Sequence, residues 1–173
     1  SEKGIETPNI KQIFTSNVAL NLPKLMSKET LEKCLAFTFP NSKHAYRNQC
    51  MIGCLFYAGC RVSEVVSLSI NHVFNDHVIV SGKGGKERVV PLSKPLQTRL
   101  HNYINIERTN SNSKWLFYHP SGKSLTRQSI TGVIDSMCKG LGIKERVTPH
   151  TFRHMFATHL LNKGMDIREV QLL

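Results

Sequence analysis

The chain has 173 residues, the size of one domain, and its hydrophobic residues, 40% of the total, are sufficient for a buried core. The 23 Lys and Arg residues against 12 Asp and Glu give a formal net charge of +11, which favours a polyanionic partner without separating nucleic acid from an acidic membrane face or an acidic protein. The composition excludes a disordered or fibrous protein, and no apolar run approaches the roughly 18 residues of a membrane span.

Predicted elements begin after a weakly periodic stretch, residues 1–22, which we interpret as an arm or linker. Three helices are predicted next: one with Ser27 as N-cap and Pro40 after its end, one over 45–58 and one over 61–68. The β-branched runs 77–80 and 88–90 then flank a glycine-rich turn, which predicts an antiparallel hairpin.

The second half of the chain returns to helical periodicity. A helix is predicted over 94–107, a short apolar strand over 115–118 and a helix over 126–139 that ends at glycines. Thr148 and Pro149 are typical of an N-cap and first helical residue, and a last helix starts near Asp166. The predicted fold class is therefore mainly α with a small antiparallel β-sheet (α+β).

Cysteine usage indicates reduced, buried thiols and an intracellular protein. The number is odd, no CxxC pair occurs and most of the cysteines fall in apolar helical stretches, at Cys34, Cys50, Cys54, Cys60 and Cys138. No second Cys/His pair stands at ligand spacing from Cys50 and Cys54, so we expect no metal site and no cofactor.

Two basic clusters occupy the middle of the chain. Arg61 stands at a helix start, three residues before Glu64, and a glutamate at that spacing can hold the guanidinium in one orientation. The turn 82–86 contains Lys83 and Lys86 among glycines that allow close approach to a phosphate. It lacks the GxxxxGK[ST] pattern of a nucleotide-binding loop. Each cluster is also compatible with an ordinary solvated surface.

A third basic cluster follows Pro149. His150, Arg153 and His154 have i, i+3, i+4 spacing and share one helix face, separate from the apolar face. No acidic residue stands between the histidines as in HExxH, so a metal is disfavoured here too. Two arginines, a lysine and a histidine in a basic domain suit metal-independent phosphoryl transfer, with guanidinium groups on the phosphate oxygens and a lysine as proton donor.

Three segments resemble the conserved boxes of the tyrosine recombinases, closest to the Xer-like and phage or transposon integrase branch. They are 57–65 (Tyr-Ala-Gly-Cys-Arg-Val-Ser-Glu-Val), 82–92 (Gly-Lys-Gly-Gly-Lys-Glu-Arg-Val-Val-Pro-Leu) and 148–154 (Thr-Pro-His-Thr-Phe-Arg-His). The likeness covers residues 22–173, and the boxes occur in the family's order. It implies the tyrosine recombinase catalytic-domain fold over 23–173 and site-specific cleavage and rejoining of double-stranded DNA.

The resemblance implies roles for individual residues. Arg61 and Arg153 would clamp the scissile phosphate, Lys83 would be the general acid, with Lys86 as second candidate, and His150 would assist proton transfer or bind the phosphate. Glu64 and His154 would support them, and the expected DNA contacts are Lys123, Thr126, Arg127 and Gln128.

The resemblance also implies parts that this sequence does not contain. The family forms a 3′-phosphotyrosine intermediate, and we expect its nucleophilic tyrosine beyond Leu173 and a core-binding domain before the arm 1–22. The chain alone is therefore expected not to cleave DNA and to be monomeric, whereas the full-length protein would act as a tetramer on two duplexes. A DNA-associated place in a prokaryotic cytoplasm follows, with no membrane partner.

Two other functions remain open from the sequence. A type IB topoisomerase uses a similar set of Arg, Lys, His and Tyr, although the wording of the boxes favours the recombinase. A non-catalytic DNA-binding remnant is the second alternative, against which stand the intact Arg61, Lys83, His150 and Arg153.

Overall fold

A computed structural model describes residues 26–109 and 111–171 of the chain. The predicted arm at 1–22 lies outside them. Three short helical turns accompany the regular elements, two 3₁₀ turns at Ile70–His72 and Lys83–Gly85 and a π turn at Tyr103–Glu107. The helices and strands are α1 Lys28–Ala36, α2 Ala45–Tyr57, α3 Val62–Val66, β1 His77–Ser81, β2 Glu87–Pro91, α4 Lys94–Asn102, α5 Arg127–Leu141, α6 Pro149–Asn162 and α7 Ile167–Gln171.

The predicted fold class, mainly α with one small antiparallel sheet, is confirmed. The sheet of the described residues has two strands, β1 and β2, paired so that Val80 faces Arg88 and His77 faces Pro91. The helix ends follow local chemistry. Ser27 caps α1 by accepting the N–H of Thr30 at 3.1 Å, as its position in the sequence predicts.

The predicted strand at 115–118 is wrong. Trp115 and Tyr118 make only isolated bridges, to Ser69 and Ser124, and a side chain binds the carbonyls of Trp115 and Leu116. The buried Arg108 donates to the carbonyls of Leu116 at 3.3 Å and Trp115 at 3.0 Å. Because a guanidinium satisfies these acceptors, the segment is buried without being a strand.

The predicted helix 94–107 is an α-helix only in its first part. It is α-helical to Asn102 and continues as a π turn over Tyr103–Glu107. This turn ends with Glu107 beside the first turn of α2, where its carboxylate accepts the N–H groups of Tyr46 at 3.0 Å and Arg47 at 3.2 Å. A negative group there satisfies N–H groups that the helix leaves unpaired.

The core is built around α2, which packs against α4 and α6. Its residues from Cys50 to Phe56 are all buried. All five cysteines are buried free thiols, as the composition predicted, and burial raises the pKa of Cys60 to about 12. In the described ranges no helix has both the length and the apolarity needed to cross a membrane.

Candidate functional site

Three helices begin with the same local arrangement, and each places a sequence-predicted site residue in its first turn. In each, the third helical residue accepts the N–H of the N-cap residue: Glu64 from Arg61 at 2.8 Å, Ser129 from Thr126 at 3.2 Å and Thr151 from Thr148 at 3.0 Å. These starts belong to α3, α5 and α6, so the basic boxes of the sequence stand on well-defined helix ends.

Glu64 is the best-buried charged group of the site. Its side chain is 1% exposed and contacts two guanidinium groups. Arg61 donates from its side chain at 3.0 Å, and Arg88 donates through both terminal nitrogens, at 3.0 Å to Oε2 and at a shorter distance to Oε1. Burial alone pushes the pKa of Glu64 upward, but the hydrogen bonds from Arg88 and Arg61 outweigh it and lower the pKa below 4.5.

The contact between Arg61 and Glu64 was predicted from their spacing, whereas Arg88 was missed as a site residue. Arg88 was interpreted only as part of a strand. Its signal is the alternation of β2, in which Arg88 stands on the same face as the buried Val90 while Glu87 and Val89 are exposed. An arginine on an inward strand face requires a partner, and Glu64 is that partner.

The hairpin and α3 enclose a cleft of about 720 Å³. Five basic side chains line it against two carboxylates: Arg61, Lys83, Lys86, Arg88 and Arg127. Lys83 and Lys86 are exposed on the turn, whose Gly84 and Gly85 have φ of 75° and 73°. The cleft is therefore positive and open to solvent, which suits a phosphate of a polymer rather than a buried small molecule.

Arg153 reaches the same region from α6. It donates to the carbonyl of Gly59 at 2.9 Å, two residues before Arg61. Gly59 has φ of 59°, and a Cβ there would lie 2.2 Å from the ring of Phe156, so α6 packs directly on this glycine. Burial, followed by the charge of Arg61, lowers the pKa of Arg153, although Arg153 is not among the residues that line the cleft.

The remaining predicted residues divide between the cleft and its surroundings. His150 and His154 are exposed on α6 and do not line the cleft. Arg127 lines it, while Thr126 caps α5 and Gln128 is exposed beside them. Lys123 lies apart, in a second basic cleft of about 700 Å³ that also contains Lys114 and Trp115.

No cluster of three or more His, Cys, Asp or Glu side chains within 26–109 and 111–171 has a geometry that could hold a metal ion. Helix α6 contains no acidic residue, so its histidines have no carboxylate neighbour on the same helix. The charged groups that line the cleft are guanidinium, ammonium and carboxylate groups.

Comparison with known proteins gives consistent matches over almost the whole chain. Residues 24–173 match the model of the phage integrase family. The tyrosine recombinase XerD of Listeria monocytogenes is 37% identical over 169 residues, which are 94% of this chain and 57% of that protein. XerC of Anoxybacillus flavithermus is 34% identical over 160 residues, 88% of this chain and 53% of that protein. The chain thus spans a little more than half the length of the curated relatives it matches.

A solved structure has the same fold. The XerH site-specific recombinase bound to its difH substrate in a pre-cleavage complex aligns with a TM-score of 0.74 and 26% identity, over 87% of this chain and 46% of that one.

Proposed function

Since the chain belongs to the phage integrase family of tyrosine recombinases, we propose that it is the catalytic domain of a site-specific DNA recombinase that cleaves and rejoins strands through a 3′-phosphotyrosine intermediate. The observation that carries the proposal is the hydrogen-bonded ion pair between Arg61 and the buried Glu64 carboxylate, in a cleft that also contains Lys83. A surface ion pair needs no buried carboxylate, whereas a guanidinium held in one orientation is what phosphate recognition requires.

The reaction uses these groups without a metal. A tyrosine hydroxyl attacks phosphorus, the bond from phosphorus to the 5′ oxygen breaks, and the 3′ phosphate remains on the tyrosine. Arg61 and Arg153 bind the non-bridging oxygens and neutralise charge in the transition state. Lys83, or Lys86 on the same turn, donates the proton that the leaving 5′ oxygen takes, and His150 holds or transfers a proton at the attacking side.

The nucleophile in this proposal lies outside the 173 residues. Tyr103 donates its hydroxyl to the carbonyl of Leu116 at 2.8 Å in the core, and the rings of Tyr57 and Tyr118 stack beneath Arg99 and Arg108. None of the chain's four tyrosines lines the cleft. We therefore expect this chain by itself to bind DNA and not to cleave it.

Double-stranded DNA is the proposed partner. Support comes from the net charge of +11 and from the XerH site-specific recombinase, whose structure was solved bound to its difH substrate. Arg127 lies in the cleft with Thr126 and Gln128 beside it, and Lys123 lies in the second basic cleft. We propose that these residues contact the DNA backbone outside the reacting phosphate. A tetramer on two duplexes is proposed for the full-length protein, acting on DNA in the cytoplasm.

The test is covalent capture of DNA. Full-length protein is incubated in EDTA with sheared DNA of the genome that encodes it and then denatured in detergent, and protein-linked fragments are sequenced. We expect links at a small set of sites, none with Arg153→Ala, and wild-type yield with Arg168→Ala, an exposed arginine on α7.

Three results would contradict the proposal in different ways. Absence of any covalent link from the full-length protein would favour the DNA-binding remnant. Relaxation of supercoiled plasmid without joined products from paired sites would favour the type IB topoisomerase. Covalent links formed by the 173-residue chain alone would place the nucleophile among its own tyrosines.

A further inference from the structure

One carboxylate serves two arginines that come from different elements. Arg61 stands at the start of α3 and Arg88 on β2, 24 residues after Glu64. We infer that Arg88 is a positioning residue that acts through Glu64, directing Arg61 into the cleft and joining the Lys83 hairpin to α3. This inference deepens the proposed function and rests on it for its catalytic part.

Arg61 and Arg88 differ in how far their side chains are exposed to solvent. The side chain of Arg61 is 52% exposed and that of Arg88 is 22% exposed, while Glu64 between them is 1% exposed. Arg88 contacts both carboxylate oxygens, and Arg61 contacts one of them through its side chain and the other through its backbone N–H. Arg88 therefore lies on the inner side of the carboxylate and Arg61 on the side open to a ligand.

The sharing of one negative charge has an electrostatic consequence. Two guanidinium groups and one carboxylate leave a net positive charge at the cleft, on the side where Arg61 is exposed. Without Arg88, Glu64 would neutralise Arg61 alone, and the attraction of that guanidinium for a phosphate would fall. Arg88 thus keeps the surroundings of Arg61 positive and holds its orientation through Glu64.

The Glu64 carboxylate also lies close to the hairpin turn. A Cβ placed on Gly82 would lie 3.8 Å from Oε1 of Glu64, so the base of the turn is next to the carboxylate. The N–H of Gly82 donates to the carbonyl of Lys86 at 2.7 Å and closes the turn that contains Lys83. A displacement of Glu64 would be transmitted to the lysine proposed as proton donor.

The first experiment separates positioning from DNA contact. In the full-length protein, Arg88→Met is expected to slow single-turnover strand cleavage about 10- to 100-fold through misplacement of the reacting groups. The slope of log Kd against log salt should stay as in wild type, because no phosphate contact is lost, while the Kd for a 30-base-pair duplex should rise only slightly as the positive charge near Arg61 falls. By contrast, Arg61→Ala should also reduce that slope by about one, as expected for a lost phosphate contact. Arg168→Met is the matched control for one lost arginine.

A second experiment tests whether Arg88 acts through Glu64. The double variant Arg88→Met with Glu64→Gln should be no slower than the slower of the two single variants. Arg88→Lys should recover the melting temperature but not the rate, because one ammonium group cannot bind both carboxylate oxygens in the same plane. Independent, multiplying effects in the double variant, or full recovery of the rate by Arg88→Lys, would overturn the inference.

The remaining outcomes keep this inference distinct from the proposed function. Wild-type cleavage by Arg88→Met, or a slope reduced by about one in that variant, would overturn the positioning role and leave the recombinase proposal intact. If the wild-type protein does not cleave, hydrogen exchange at the Arg61 amide decides, because that N–H is bound by Glu64. Faster exchange in Arg88→Met than in Arg168→Met supports the positional link, and equal exchange removes it.

Discussion

The starts of α3 and α6 use the same device with different chemistry. In α3 the third residue, Glu64, binds the N-cap N–H with a carboxylate, and in α6 the third residue, Thr151, does so with a hydroxyl. Each helix start also places one arginine of the proposed clamp. Arg61 is held by that charged carboxylate, whereas Arg153 is held by the neutral carbonyl of Gly59.

The difference shows two ways to fix an arginine for phosphate binding. A carboxylate orients a guanidinium strongly but takes up part of its charge, and a second arginine, Arg88, is then needed to offset this. A carbonyl leaves the charge of the guanidinium intact but requires close packing of two backbone segments, which a glycine permits. The contact that holds Arg61 therefore depends on pH, through the Glu64 carboxylate. The contact that holds Arg153 depends on the absence of a side chain at Gly59.

The largest effect is expected from removing either arginine. Arg153→Ala and Arg61→Ala should each lower the cleavage rate of the full-length protein by about 10²- to 10³-fold, because each removes charge stabilisation of the transition state. Arg153→Ala should be the more severe, since no carboxylate offsets the charge of Arg153 directly. Single-turnover kinetics measure this, and a milder loss with Arg153→Ala would break the comparison.

A methyl group on Gly59 tests the dependence of α6 on space. Gly59→Ala should reduce the free energy of unfolding by about 4 kcal/mol, from a strained positive φ together with overpacking against Phe156. Urea denaturation measures the loss. The control is Gly132→Ala, where a Cβ meets nothing within 4 Å, which should increase stability by about 0.5–1 kcal/mol.

Glu64→Gln tests the dependence of α3 on charge. At neutral pH the loss in unfolding free energy should be about 3 kcal/mol, the lower end for a broken buried pair because Arg61 is half exposed. The folded pKa of Glu64 lies below 4.5, so its contribution is present above 4.5 and is lost as pH falls through the folded pKa. The difference in unfolding free energy between wild type and Glu64→Gln should therefore become smaller below pH 4.5.

The matched control is Glu32→Gln, whose side chain is 66% exposed on α1 and which should change the unfolding free energy by less than about 0.5 kcal/mol at neutral pH. If the difference in unfolding free energy between wild type and Glu64→Gln stays constant as pH falls below 4.5, protonation of Glu64 is not coupled to unfolding and the prediction is wrong.

The smallest effect is expected at the start of α6. Thr151→Val removes the acceptor of the Thr148 N–H and should reduce stability by about 1 kcal/mol. Because a hydroxyl does not titrate, the loss should be equal at pH 4 and pH 7, in contrast to Glu64→Gln. Thr131→Val on the exposed face of α5 controls for the added branched methyl group.

Much of the framework could be predicted from the sequence. The N-caps at Ser27 and Thr148, the glycine that ends α5 and the hairpin with its lysine turn are all present where local patterns place them. The strand predicted at 115–118 was wrong because an apolar run of this length fits a strand and a buried irregular segment equally well. The guanidinium of Arg108, whose partners are in that segment, determines the outcome.

The sequence by itself determined where helices such as α1 and α6 begin, which face of α6 is polar and that Arg61 meets Glu64, since all of these depend on groups within four residues of one another. The tertiary structure alone decided that Arg88 shares Glu64, 24 residues away, and that Arg153 binds the carbonyl of Gly59, 94 residues away. The physical reason is that a charged side chain can find a local partner from spacing alone. A partner on another element is fixed only when the core of α2, α4 and α6 has packed and brought the two segments together.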